Sequence, residues 1–269
     1  MGIFIIIAIV LIFILIKVKI KKLKLPNITL ITGGVKTGKT SLAVNLAIKK
    51  YKSEHFKWKI KKLLHIKCEE PLLYSNIKLK YVPHVPLTKD LLLRQKRFSY
   101  KSVVLISEGA LVADSQNFKD QFVNETLTIY CKLFGHETKG GYMFVDTQNI
   151  TDLHYAFKRV CNTFLWIHSN TKFPFFMKLQ VRELIYSAEN SSTNVFNEDA
   201  EDTTKNVYIL KRIWKKFDAY CYSIFTDNLP VDNAVIKLSK NDSLKTDEIL
   251  QIRQFKYLKG GADSDKKEG

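Results

Sequence analysis

A glycine-rich loop near the N-terminus defines the architecture of this chain. It reads Gly33-Gly34-Val35-Lys36-Thr37-Gly38-Lys39-Thr40 and matches the phosphate-loop pattern G-x-x-x-x-G-K-[ST]. The apolar, β-branched run Ile28–Thr32 before it predicts a buried strand, and the run Ser41–Lys50 after it predicts a helix. A strand, a glycine loop and a helix N-terminus in this order surround a polyphosphate with backbone N–H groups. The chain is therefore predicted to bind a nucleotide here.

The positions of this loop have different expected roles. Gly33 and Gly38 allow backbone conformations and a close approach that a Cβ would hinder. Lys39 is expected to reach the β- and γ-phosphates, and the Thr40 hydroxyl is expected to bind Mg²⁺. The expected nucleotide-binding residues are Gly33, Gly34, Val35, Lys36, Thr37, Gly38, Lys39, Thr40 and Ser41.

Two later apolar runs predict buried parallel strands that end in polar residues. Val103–Ile106 is followed by Ser107-Glu108, and Tyr142–Val145 is followed by Asp146-Thr147-Gln148. Strands of this type that alternate with helices predict a three-layer α/β domain with a mostly parallel sheet. Because ligands bind at the carboxyl ends of such strands, these polar residues are expected to meet the phosphate loop.

Hydrolysis of ATP needs a carboxylate that orients or deprotonates the attacking water. Glu108 fits that role, and Gln148 is the expected sensor of the γ-phosphate. The residue before Glu108 is usually an aspartate that holds Mg²⁺ through water, and here it is Ser107. The hydroxyls of Thr40 and Ser107 are the expected metal contacts, and Asp146 is a possible substitute for the missing aspartate.

Ring-shaped NTPases often complete their site with an arginine from the next subunit, because a guanidinium stabilises charge on the transferring phosphoryl group. The chain has only six arginines. Arg159 is favoured for this catalytic role because it follows Gln148 on a predicted helix, and the other candidates are Arg94, Arg97 and Arg182. The expectation is a homo-oligomeric ring.

The first twenty residues predict a membrane anchor. Residues 2–16 are uncharged and apolar, and they are followed by Lys17, Lys19, Lys21, Lys22 and Lys24. A span over residues 2–20 is nearly long enough to cross a bilayer if the first lysines snorkel to the headgroups. A cleaved signal peptide has its basic residues before the apolar run, so this segment is expected to stay attached. The lysines place the N-terminus outside and the phosphate loop in the cytoplasm.

The predicted organisation has four parts. A membrane anchor with a basic flank covers residues 1–25, and the NTPase core covers residues 26–186. The C-terminal part of the domain, with an acidic loop, covers residues 187–258, and a disordered tail covers residues 259–269. The helix after the phosphate loop is expected to end near residue 53, and the state of residues 207–225 is ambiguous.

The formal net charge is +17 and comes almost wholly from lysine. Such a surface fits contact with the phosphates of nucleic acid or with anionic lipid, and it fits equally a merely solvated surface of a lysine-rich chain. The four cysteines are far apart and form no C-x-x-C pair, which argues against a structural zinc site and a disulfide scaffold.

The order of these segments resembles the zonula occludens toxin (Zot-like) family, which includes the assembly ATPases of filamentous phages and looks related to the FtsK–HerA DNA-pumping ATPases. The matching runs are Gly33–Thr40, Leu72–Ile77, Val103–Glu108, Phe134–Glu137 and Phe144–Gln148, within residues 26–186. The resemblance implies a RecA/FtsK-like P-loop NTPase in the host inner membrane, with Glu108 and Gln148 near the γ-phosphate. It also implies a role in virion assembly or in extrusion of single-stranded DNA while coat protein is added.

Two features depart from the family. The acidic pair is Ser107-Glu108, and the membrane segment is N-terminal, whereas many relatives place it after the ATPase domain. Toxin activity is not supported. Two other functions remain open: a nucleotide-regulated membrane scaffold without robust hydrolysis, and a small-molecule kinase, which the scarcity of arginines for a lid disfavours.

Overall fold

A computed structural model describes residues 23, 25–87, 98–109, 129, 131–153, 155–161, 163–185 and 204–217. These ranges form one sheet of eight strands with helices packed against it. The strands are β1 (Ile28–Gly33), β2 (Leu73–Ser75), β3 (Val85–Pro86), β4 (Val103–Ile106), β5 (Tyr142–Asp146), β6 (Thr163–Lys172), β7 (Phe176–Ile185) and β8 (Lys205–Leu210). The helices are α1 (Lys39–Leu63) and α2 (Tyr155–Val160), with a further helical stretch at 131–137 and a 3-10 turn at Lys211–Ile213.

The sheet has the strand order β3-β2-β4-β5-β1-β6-β7-β8. The first six strands in this order, from β3 at the edge to β6, pair in parallel. Strands β7 and β8 extend the sheet beyond β6 and are antiparallel to their neighbours. The expected mostly parallel sheet is therefore confirmed. Since β5 lies between β1 and β4, the polar residues after β5 stand between the phosphate loop and the Ser107-Glu108 pair.

Both faces of the sheet are covered by apolar side chains. Ile31, Phe144 and Leu165 belong to a buried cluster that includes the first turns of α1. Their sequence neighbours Leu30, Val145 and Phe164 belong to a second cluster with Phe134 and Phe157. Alternate residues of each strand thus face opposite layers, and this double burial explains why the central strands are continuous apolar runs.

Helix α1 is longer than the sequence predicted. It continues past residue 53 to Leu63, because no glycine or proline interrupts it, and its last turns project with exposed Leu63 and Leu64. The first residues of the ambiguous segment 207–225 belong to strand β8, which pairs with β7. In the described part of the chain, no helix is long and apolar enough to cross a membrane. The anchor expected at residues 2–20, the acidic loop at 187–203 and the tail at 259–269 lie outside the described residues.

Candidate nucleotide-binding site

The phosphate loop connects the end of β1 to the start of α1. Gly33 has a φ of 153°, and a Cβ there would lie 2.8 Å from the carbonyl oxygen of Ile167 on β6. Gly38 caps the N-terminus of α1 in the left-handed region, with a φ of 97°. At the tip of the loop, Asn170 Nδ2 donates a 2.9 Å hydrogen bond to the carbonyl of Lys36. The two glycines are thus required by backbone geometry and by space, as the sequence predicted.

The loop wraps around the side chain of Lys39, the first residue of α1. Lys39 Nζ donates to the carbonyl oxygens of Gly33 at 3.0 Å and Gly34 at 2.8 Å, and only 6% of the residue is exposed. Burial lowers the pKa of Lys39, and the negative charges of Glu108 and Asp146 partly offset that effect. Lys39 is a cation at a helix N-terminus, and both features favour the binding of an anion. The nearby carboxylates of Glu108 and Asp146 favour the binding of a cation that accompanies the anion.

Asp146 is the centre of the polar network at the end of β5. Its buried carboxylate is hydrogen-bonded to the Thr40 hydroxyl of the phosphate loop. Asp146 Oδ1 also accepts a 2.6 Å bond from the backbone N–H of Glu108, and Oδ2 lies 3.5 Å from the Ser107 hydroxyl. Burial raises the pKa of Asp146 to about 6, although the hydrogen bonds from Thr40, Glu108 and Ser107 favour the charged form. A buried carboxylate beside the phosphate loop that accepts hydrogen bonds from Thr40, Glu108 and Ser107 is a candidate functional group.

Glu108 and Gln148 are brought together from two adjacent strand ends. Gln148 Nε2 donates to Glu108 Oε1 at 3.3 Å, while the carbonyl of Gln148 accepts from the Thr32 hydroxyl at 3.3 Å. Glu108 is 9% exposed, and its φ of 51° lies in the left-handed region, which is uncommon for a residue with a side chain. Strain of this kind persists only where the surroundings hold it, here through the hydrogen bond to Asp146.

Asn76 is a site residue to which the sequence reasoning gave no role. Its side chain follows β2 and forms two hydrogen bonds with the backbone of Ser107, from Nδ2 to the carbonyl at 2.8 Å and from the N–H to Oδ1 at 2.7 Å. Asn76 is buried, so it holds the Ser107-Glu108 turn from the side opposite Asp146. The signal in the sequence that could have identified Asn76 is its position, because it is a polar residue directly after a predicted strand.

The oxygen atoms at this edge fit Mg²⁺. Thr40 and Asp146 present a hydroxyl and a carboxylate that are already hydrogen-bonded to each other. Within the described ranges, no group of three His, Cys, Asp or Glu side chains could hold a metal ion. Mg²⁺ bound here would therefore take its other ligands from phosphate oxygens and water, as it usually does. The geometry favours Asp146 over Ser107 as the contact beside Thr40, because Asp146 carries the charge.

Among the four arginine candidates, Arg182 is the one whose side chain lies in the described part of the structure. Arg182 lies on β7, where its guanidinium stands over the Trp166 ring and donates from Nε to Thr204 Oγ1 at 3.3 Å. Arg159 lies in α2, but its side chain is outside the described part of the structure, as are Arg94 and Arg97. The predicted role of Arg159 stays a prediction.

The strand–loop–helix unit and the order of the sheet give this chain a phosphate-loop NTPase fold.

No family model matches the chain, and no curated protein matches it. Similar solved structures include the N-terminal domain of zonular occludens toxin from Neisseria meningitidis, at 18% identity and a TM-score of 0.44, over 72% of this chain and 100% of that one. They also include the genome packaging NTPase B204 from Sulfolobus turreted icosahedral virus 2 in complex with AMP, at 10% identity and a TM-score of 0.32, over 61% of this chain and 98% of that one. A third solved structure is an ATPase domain, at 6% identity and a TM-score of 0.33, over 68% of this chain and 80% of that one. The first of these carries the name of the family that the sequence motifs resemble.

Proposed function

We propose that this protein is a membrane-anchored ATPase that powers virion assembly of a filamentous phage, with extrusion or translocation of single-stranded DNA. The observation that carries the ATPase part is the convergence of Lys39, Thr40, Asp146 and Glu108 at one edge of the sheet. The virion part rests on the resemblance of the ordered motifs to the Zot-like family.

In this proposal, ATP binds with its phosphates in the loop and at the N-terminus of α1. Lys39 Nζ exchanges its two carbonyl partners, Gly33 and Gly34, for oxygens of the β- and γ-phosphates. Thr40 and Asp146 would hold Mg²⁺, which would supply positive charge against the phosphates of the nucleotide.

The attacking water is placed by Glu108, whose carboxylate accepts a proton or orients the water in line with the γ-phosphate. Gln148 holds Glu108 Oε1 through its amide and stands at the tip of the neighbouring strand. It can exchange this hydrogen bond for one to the γ-phosphate, so that the position of Glu108 depends on whether a triphosphate is present. An arginine of the next subunit in a ring, with Arg159 as the candidate, completes the site.

The membrane anchor and the partners belong to the same proposal. Residues 2–20 hold the chain in the host inner membrane in a single pass, with the NTPase domain in the cytoplasm. Single-stranded DNA and coat or assembly proteins are the proposed partners, and the excess of lysine supplies the charge that a nucleic-acid backbone needs.

The test is ATP hydrolysis by the full chain in detergent micelles, with and without single-stranded DNA, at two salt concentrations. Hydrolysis that rises with DNA, and loses that stimulation as salt increases, is expected of a DNA-handling motor. Hydrolysis indifferent to DNA would indicate an ATPase that acts on coat protein. ATP binding without turnover would contradict the motor and favour a nucleotide-regulated scaffold.

A further inference from the structure

A cavity lined by both apolar and charged side chains lies away from the nucleotide site, on the α1 face of the sheet. It has a volume of about 230 Å³ and lies between α1, the edge strand β8 and the 3-10 turn that follows β8. Its polar lining comes from Asn45, Lys49, Lys52, Arg212 and Lys216. None of these residues takes part in the network around Lys39 and Asp146.

Every charged side chain among the described residues that line this cavity is positive. Lys49 and Lys52 come from α1, Arg212 and Lys216 come from the turn, and no acidic side chain is among the described residues that line the cavity. The cations stand close enough to affect one another: burial lowers the pKa of Lys216, and the charges of Lys52 and Arg212 lower it further. Like charges held together in this way raise the free energy of the folded protein until an anion joins them.

A buried amide points to a ligand independently of the charges. Asn45 lines the cavity and is 5% exposed, and its Nδ2 has no hydrogen-bond partner in the described structure. A buried N–H group without a partner costs free energy, so native proteins rarely leave one unexplained. An oxyanion that entered the cavity would neutralise the surrounding cations, and a rotation of the Asn45 side chain toward it would give this donor an acceptor.

The surface around the cavity carries more positive charges than one small anion would neutralise. Residues 211–216 read Lys-Arg-Ile-Trp-Lys-Lys, and residues 49–52 of α1 read Lys-Lys-Tyr-Lys. Lys211, Arg212, Lys215, Lys49 and Lys52 are exposed. Several cations around one cavity match a polymer that presents phosphates at regular intervals, and long-range attraction to such a polymer grows with each added cation.

We propose that the Asn45 cavity binds a backbone phosphate of single-stranded nucleic acid, and that the flanking cations contact the adjacent phosphates. This inference rests on the proposed function, because it gives the DNA-handling motor its DNA contact. It also connects the contact to ATP: Asn45, Lys49 and Lys52 lie on α1, whose first residue is Lys39, so the two sites share one rigid helix. From the helical rise, Lys39 and Asn45 are separated by about 9 Å along the axis.

The test is the binding of a fluorescein-labelled 20-nucleotide oligothymidylate to the full chain in detergent micelles, followed by fluorescence anisotropy over a range of salt concentrations. The double variant Lys52→Gln, Arg212→Gln removes two exposed charges at the cavity. The matched control, Lys59→Gln, Lys132→Gln, removes two exposed lysine charges elsewhere and leaves the same net charge.

The cavity variant is expected to bind the oligonucleotide at least about tenfold more weakly, with the slope of log K against log salt reduced by about 1.4. The control is expected to stay within about twofold of the unsubstituted protein. Asn45→Ala is expected to weaken binding without a change in the salt slope, because it removes a donor and no charge. Equal effects of the two double variants would overturn the proposal, since the contact would then be a general effect of charge.

Two further measurements, phosphate competition and basal ATP hydrolysis, distinguish nucleic-acid binding from binding of a free anion and separate this site from the proposed function. Inorganic phosphate is expected to displace the oligonucleotide no better than sodium chloride of equal ionic strength. Displacement by micromolar phosphate would assign the cavity to a free anion and overturn the nucleic-acid assignment. Basal ATP hydrolysis without DNA is measured in every variant and is expected to be unchanged. If the unsubstituted protein has no ATPase activity but the double variants still differ in DNA binding, the proposed function fails and this site stands.

Discussion

The backbone N–H of Glu108 donates a 2.6 Å hydrogen bond to the carboxylate of Asp146 across the neighbouring ends of β4 and β5. This contact joins the carboxylate proposed to act on water to the buried acid that is bonded to Thr40. It also holds Glu108 at a φ of 51°. Ser107 stands where an aspartate is expected before Glu108, and the neighbouring strand places the Asp146 carboxylate beside that position.

Restoring an aspartate at Ser107 is expected to harm the site. In Ser107→Asp a second carboxylate would stand where the hydroxyl now lies 3.5 Å from Asp146 Oδ2, and two buried like charges repel. Both Mg²⁺-dependent ATP turnover and the free energy of unfolding should fall. Ser107→Asn is the control, because asparagine has nearly the same size as aspartate but carries no charge. Turnover by Ser107→Asp above that of the unsubstituted protein would show that position 107 is the metal contact.

Lys39→Ala is expected to weaken ATP binding at least about 100-fold, because it removes two charge-assisted hydrogen bonds to phosphate oxygens. Binding of a fluorescent ATP analogue measures the effect. Lys59→Ala removes an exposed lysine of the same helix and should bind the analogue normally. Equal affinity of both variants would remove Lys39 from the nucleotide site.

Glu108→Gln is expected to keep ATP binding and to lower the rate of hydrolysis by about 10²- to 10⁴-fold, the usual effect of losing a general base. The backbone bond to Asp146 does not involve the side chain and should survive. Binding and single-turnover hydrolysis are measured on the same sample. Hydrolysis at the normal rate by this variant would rule out the catalytic assignment.

Asn76→Ala leaves the buried N–H and carbonyl of Ser107 without their side-chain partner. We expect the free energy of unfolding to fall by about 2–4 kcal/mol in urea titrations, and ATP turnover to fall because the Glu108 turn loses its support. Asn206→Ala, at an exposed amide on β8, should change stability by less than about 0.5 kcal/mol. A similar stability of the two variants would mean that Asn76 does not hold the turn.

His84 gives a prediction of pH dependence outside the site. Its ring is buried, with Nδ1 bonded to the Val82 carbonyl at 2.9 Å and Nε2 accepting from the Leu79 N–H at 3.3 Å. Burial lowers the pKa of His84 below its usual 6.5. The unfolded chain is therefore protonated first, so this stabilisation is complete above about pH 6.5 and is lost as the pH falls below it.

Urea unfolding at pH 8, 6 and 5 measures the effect of His84. The free energy of unfolding should fall with decreasing pH by up to about 1.4 kcal/mol per pH unit more in the unsubstituted protein than in His84→Gln. The same pH dependence in His84→Gln would contradict the prediction.

Local patterns predicted the parts of the site that are close in sequence. The loop from Gly33 to Thr40 and the polar ends of β4 and β5 could be predicted because glycine positions and apolar runs act over a few residues. The two-residue strand β3, at Val85–Pro86, was not predicted, because proline in a run argues against a strand. The continuation of α1 to Leu63 was missed because its last turns carry no apolar face packed against a neighbour.

The amino-acid sequence alone predicts a phosphate loop after a buried strand, with Lys39 and Thr40 at a helix N-terminus and with Glu108 and Gln148 at the ends of two later strands. Which carboxylate meets Thr40 depends on long-range contacts in the folded chain. That choice depends on β5 lying between β1 and β4, an order set by the packing of both faces of the sheet. The bond from Asn76 to Ser107 and the cavity beside Asn45 have the same origin, since each joins residues far apart in the chain.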